Sequence, residues 1–121
     1  MAKWIFNYRG TASAIVNGNS IHDRYGRHKL WIFGNNLYNH QGYHVGWTEG
    51  GVFYDENNDV LGFTRDRTQH LPSIPGIGGT PGMPGLSGKP GMPGRSGVPG
   101  RPGYGGWSRI LLEDYIEIKS Q

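Results

Sequence analysis

The sequence predicts an all-β head, built from four 16-residue β-hairpin repeats with pseudo-fourfold symmetry. A polyproline II or collagen-like segment and a short C-terminal helix follow it. Three observations predict this: a sixteen-residue spacing over the first half, glycine at every third position from 76 to 106, and a short apolar stretch at the end of the 121 residues. The expected organisation is a repeat domain over 1–68, a Pro/Gly-rich tract over 69–106 and an apolar segment over 107–121.

The repeat is read from columns. Gly10, Gly26 and Gly42 are sixteen apart, and the next step lands on Asn58. Three residues before each stand Asn7, Asp23, Asn39 and Asp55. Asn/Asp-x-x-Gly suits a type I turn with a bulge. The Asn or Asp side chain bonds an N–H two residues on, and the last residue takes a left-handed conformation that Asn also visits. Short aromatic and aliphatic runs flank each turn, so one copy reads as two strands and four copies as a meander. The columns Ile5, Ile21, Leu37, Phe53 and Ile15, Trp31, Trp47, Phe63 are uniformly large and apolar, and both are assigned to the core. A lone hairpin is not stable, so the four must pool these side chains. Phe6, His22, Tyr38 and Tyr54 fall on the face opposite the Ile5 column. They are the candidate binding or interface residues, for a sugar, a peptide or a neighbouring subunit. The competing reading is ordinary strand-face aromatics that support the sheet.

In the tract, glycine recurs without a miss at Gly76, Gly79, Gly82, Gly85, Gly88, Gly91, Gly94, Gly97, Gly100 and Gly103. All eight prolines lie in one column, at 72, 75, 81, 84, 90, 93, 99 and 102. Such sequence prefers polyproline II, and three such chains meet only where Gly lies at the axis. The glycine register therefore predicts a homotrimer with those ten glycines at its axis. Polyproline II packed on its own β-domain or on a partner, and a plain spacer, are the alternatives. The proline column is interrupted at Gly78, Ser87, Ser96 and Gly105, every nine residues. Either a nine-residue unit was duplicated, or the small residue marks a contact or bend.

After the tract, Ser108 is placed to cap a helix whose apolar face is Ile110, Leu111, Leu112, Tyr115 and Ile116. The alternation Tyr115-Ile116-Glu117-Ile118 also permits a strand.

The stretches IHDRYGRHKLWIF, LYNHQGYHVGWTEG and VFYDENNDVLGFT, with Gly46-Trp47 and Gly62-Phe63 closing two copies, resemble the four-fold β-flower family of small bacterial proteins. A Pro-rich period-three tract, a Trp-Ser element (here Trp107-Ser108) and an apolar tail extend the resemblance over nearly the whole chain. It implies pseudo-fourfold β structure and no activity. The chain departs from the family in its Gly-X-Pro tract and in the first copy, where Ala14-Ile15 replaces the Gly-aromatic pair.

Chemistry is sparse. With no cysteine there are no disulfides or thiolate metal sites. The five histidines lack a structural zinc pattern, so no metal and no cofactor is expected. No nucleophile elbow, phosphate loop or zinc-protease motif is present, and the acidic residues sit where turns want Asp or Asn. Net charge is +3 with scattered Lys and Arg, giving no footprint for nucleic acid. No apolar run is long enough for a membrane span. The start lacks a signal-peptide pattern, so the expected location is cytoplasmic or reached by a signal-independent route, as in a phage or secretion apparatus. The expected function is non-enzymatic: a structural or assembly protein that trimerises through its tract, partnered by itself, by other subunits or by a glycan. The alternative is a carbohydrate- or peptide-binding module with the tract as spacer or self-packed polyproline II.

Overall fold

The computed structural model describes residues 2–120. Eight strands form a closed antiparallel barrel: β1 (Ala2–Phe6), β2 (Ala12–Asn17), β3 (Ser20–Asp23), β4 (His28–Phe33), β5 (Asn36–Tyr38), β6 (His44–Glu49), β7 (Val52–Tyr54) and β8 (Val60–Phe63). One helix, α1 (Leu112–Lys119), follows. Each strand pairs with the next, and β8 closes on β1 through the pair Phe6–Phe63.

The turns at one end share one construction. Gly10, Gly26 and Gly42 have φ of 76°, 91° and 87°, and Asn58 has 63°. Each donates its N–H to the carbonyl of Asn7, Asp23, Asn39 or Asp55 three residues earlier, at 2.9–3.0 Å. The same Asn or Asp side chain accepts N–H groups two and four residues on. At the other end, two-residue turns begin at Gly18, Gly34 and Gly50, and a carbonyl of each (Asn19, Asn35, Gly51) accepts an N–H from the following hairpin (Ile32, Thr48, Thr64).

A bulge recurs beside each of the first turns. The register skips Ser13, Lys29, Val45 and Leu61, sixteen apart. Here the α1 helix plugs the barrel. Leu112, Tyr115 and Ile116 share one buried cluster with Ile5, Ile21, Leu37, Val45, Phe53 and Leu61. Gly62 leaves room for Leu112: a Cβ there would stand 3.0 Å from its Cδ2 and 2.6 Å from the Phe6 carbonyl. The two polar bulge positions also meet this end of the molecule. Lys29 reaches Glu117 at 3.0 Å, while Ser13 holds Asn7, whose amide reaches Glu113 at 3.1 Å. The Tyr115 hydroxyl donates to the Val45 carbonyl at 2.6 Å and accepts the Glu56 N–H at 3.1 Å. Its burial pushes the phenol pKa well above the usual value.

Three expectations are corrected. The two apolar columns do not share a core. Ile15 pairs with His22, Trp31 with Tyr38, and Trp47 with Tyr54, so the Ile15 column lies on the same face as Phe6 and opposite the Ile5 column. A closed barrel has an inside and an outside, and period-two alternation splits the columns between them. Phe6, His22, Tyr38 and Tyr54 are buried and offer no exposed aromatic surface. The outer face of the barrel is itself covered. Ser108 does not cap the helix. The N-cap is Leu111, without a side-chain bond, and the Ser108 hydroxyl instead donates to Asp55 at 2.7 Å.

Candidate functional site

What covers the outer face is the tract. It contains no helix or strand, and its backbone meets the barrel at regular stations. The Gly78 N–H donates to the Gly10 carbonyl at 3.0 Å, the Ser87 N–H to Gly26 at 2.8 Å, and the Ser96 N–H to Gly42 at 2.7 Å. At the second and third stations the bond is returned. The His28 N–H donates to Ser87 Oγ and the His44 N–H to Ser96 Oγ, both at 3.0 Å. We call each station a clasp. Nine residues of tract advance it by one turn of the barrel, which spans sixteen residues of head. Nine residues in a polyproline II conformation would span about 28 Å.

This explains the gaps in the proline column. Proline has no N–H. It is absent at 78, 87 and 96, where an N–H must reach a turn carbonyl, and at 105, where a Cβ would collide with the Asp59 carboxylate. At the second and third gaps, serine adds an acceptor for a barrel N–H that would otherwise lack one.

The turn glycines serve the same contact. A Cβ at Gly10, Gly26 or Gly42 would collide with the carbonyl oxygen of Gly76, Gly85 or Gly94 respectively. At the fourth station the pattern changes. Asn58 Nδ2 donates to the Pro102 carbonyl at 3.0 Å, and its Oδ1 accepts from Arg101 Nε at 2.8 Å. The chain then turns at Gly106 (φ 94°) and bridges Val60 through Trp107, with Val60 N–H to Gly106 at 2.7 Å and Ser108 N–H to Val60 at 2.8 Å.

The four sequence-nominated aromatics lie beneath this wrap. Arg101 sits 4.8 Å over the Tyr54 ring and pairs with Glu49 at 2.9 Å. Phe6 packs on Phe63 and under Arg65, with centroid distances of 5.8 and 5.1 Å. Tyr38 lies edge-on to His44 at 5.6 Å. His22 shares the Gly26 carbonyl with Ser87, its Nδ1 donating at 3.1 Å. Phe6 also lines a cavity of about 280 Å³ with Lys3, Trp4, Arg65, Asp66, Thr80 and Met83.

Histidines crowd the second station. His28 stacks on His40 with Nδ1 to Nε2 at 2.9 Å, packs 4.4 Å from Trp31, and meets His22 edge-on at 5.3 Å. Burial lowers the pKa of His28 to about 4, helped by the positive charge that His40, His22 and Lys89 bring near it. Burial also lowers His22, His40 and His44. Among the described residues, no three His, Asp or Glu side chains converge as ligands for a metal ion.

A model of the 4-fold beta flower protein family matches residues 3–116. The chain belongs to the beta flower family. No curated protein and no solved structure matches it. The matched span of this beta flower takes in the barrel, the whole tract and most of the α1 helix, the parts that the clasps and the plug join. Among its described residues no helix is long and apolar enough to cross a membrane.

The ten glycines nominated as a trimer axis face outward. A Cβ placed on any of Gly76, Gly79, Gly82, Gly85, Gly88, Gly91, Gly94, Gly97, Gly100 or Gly103 meets nothing within 4 Å, and none has a positive φ. Sequence reading did not find the clasps. The signal was present in the nine-residue proline gaps, but its counterpart, the sixteen-residue row of turn carbonyls, is a backbone feature that no side-chain column displays.

Proposed function

We propose that this chain is a non-enzymatic structural and assembly module made as four hairpin-plus-nonad units. Its self-packed polyproline II tract meets another chain through the open glycine edge. The observation that carries the reading is that edge. Glycine costs roughly 0.5–1 kcal/mol relative to alanine where its freedom is not used. Neither packing nor backbone conformation within this chain uses it at those ten positions. A close backbone approach by a partner does use it. A second copy is the simplest partner, since it brings the same edge. A homotrimer remains the expected stoichiometry, formed by clasped chains rather than by a free triple helix.

The test is mass in solution across concentration, for the native chain and for Gly82→Ala/Gly91→Ala. The reading predicts a multiple of the 13.4 kDa chain that dissociates in the variant without loss of the barrel. A native chain that stays monomeric at millimolar concentration contradicts it.

A second reading, a small-ligand module, is favoured by the cavity beside Trp4 and Phe6. It predicts that retention of a glycan or aromatic ligand is lost in Trp4→Ala. Equal retention by the variant removes it.

A further inference from the structure

The second and third clasps grip the backbone of histidines, and the first does not. His28 and His44 donate their N–H groups to Ser87 and Ser96, while Ala12 occupies the matching place of the first repeat and Gly78 offers no hydroxyl. His22 Nε2, His28 Nε2 and His44 Nδ1 are buried and have no hydrogen-bond partner among the described residues. The opposite nitrogen of each is taken: His22 Nδ1 by the Gly26 carbonyl, His28 Nδ1 by His40, and His44 Nε2 by Asn36 Oδ1 at 3.1 Å. A neutral ring whose proton sits on the engaged nitrogen tolerates this, since its free nitrogen is only an acceptor. A protonated ring carries a second N–H with nowhere to donate, and burying it costs the full desolvation of a charged donor.

The charges around the rings do not offset that cost. On β3, Asp23 faces His22 but is already held by Arg27 at 3.0 Å and Lys29 at 4.0 Å. The tract brings Lys89 toward His22 and His28. The β5–β6 turn brings His40, which itself faces Lys29 of β4. At the third station Glu56, from the β7–β8 turn, favours the charged form of His44, but it is engaged by Lys119 at 2.7 Å.

We propose that this belt is an acid-sensitive latch: protonation of the second- and third-repeat histidines releases the centre of the tract from a barrel that stays closed. The sign follows from linkage. A released histidine titrates near 6.5 and the clasped His28 near 4, so the released form binds more protons between those values. The latch is strongest above pH 6.5, weakens as pH falls toward 4, and loses nothing more below that. Taking His28 alone, and allowing for solvent relaxation around the ring, opening rises on the order of tenfold by pH 5.

The test is amide hydrogen exchange of the native chain from pH 7.5 to 4.5, each rate divided by its intrinsic value. The Ser87 amide should lose about tenfold protection by pH 5, and the Ser96 amide should lose protection in the same direction. The Gly78 amide, whose station has no histidine, the β2 amides and the β6 amides beyond His44 should keep theirs. Constant protection at Ser87 and Ser96, equal loss at Gly78, or simultaneous loss in the strands each overturns the latch. In His28→Gln/His44→Gln the pH dependence should shrink to what His22 and His40 leave, and a dependence as steep as the native one also overturns the latch. If that variant does not fold, the comparison of the three stations in the native chain decides alone.

Discussion

Replacing Ser96 by proline separates the two roles open to the tract. The substitution restores the Gly-X-Pro pattern at the one triplet between 91 and 103 that lacks it. In a free polyproline II rod or a triple helix it should be neutral or stabilising, because proline pre-sets the backbone. In the clasped fold it removes the N–H that donates to Gly42 at 2.7 Å and the Oγ that accepts His44 N–H at 3.0 Å. Two hydrogen bonds at about 0.5–1.5 kcal/mol each give a loss of about 1–3 kcal/mol. The lower part of that range applies if water reaches the half-buried site. For a domain of this size each kcal/mol moves Tm by roughly 3–5 °C. Thermal and urea unfolding followed by tryptophan fluorescence reads this directly, since Trp47 packs 4.7 Å from the His44 ring. Ser96→Ala, which keeps the N–H, should lose about half as much. An unchanged or raised Tm in Ser96→Pro refutes the clasp as a source of stability.

Further outcomes follow from the same geometry. Gly26→Ala should destabilise by more than about 2 kcal/mol, because it combines a positive φ with a collision against the Gly85 carbonyl, whereas Gly85→Ala should stabilise the dilute chain by about 0.5–1 kcal/mol. Denaturant titrations of the pair check this, and equal effects contradict it. Tyr115→Phe strips the Val45 carbonyl and the Glu56 N–H of their shared partner and should cost about 1–3 kcal/mol in urea unfolding, with the far-ultraviolet spectrum retained. Asn58→Gly gains the easier left-handed residue but loses two bonds to the tract, so its urea midpoint should fall modestly and the Pro102 region should exchange faster.

Much of the barrel was legible because local chemistry dictates it. Asn7, Asp23, Asn39 and Asp55 announce turns, and Gly10, Gly26, Gly42 and Asn58 take the left-handed conformation those turns require. The faces were only half legible. Period two tells which residues share a side, but aromatic columns such as Trp31 and Tyr38 do not say whether that side meets solvent. Here both sides are buried, one by α1 and the other by the tract. Ser108 was misread because a serine before an apolar run has the pattern of a cap, while its actual partner, Asp55, is 53 residues away. The candidate site was least legible. Glycine every third residue speaks for polyproline II but not for what the rod lies on, and backbone carbonyls as docking partners leave no mark in a side-chain pattern. The nine-residue gap was the one visible trace, and its meaning is the missing proline, not the serine.

The periodicity of amide protection along residues 76–106, at neutral pH in a dilute sample, tests the clasp most directly. A clasped tract shows protection at Gly78, Ser87 and Ser96, a period of nine, with the glycine amides between them exchanging freely. Protection recurring at every third residue, on the glycines that meet at a triple-helical axis, would contradict it. So would a tract with no protected amide at all.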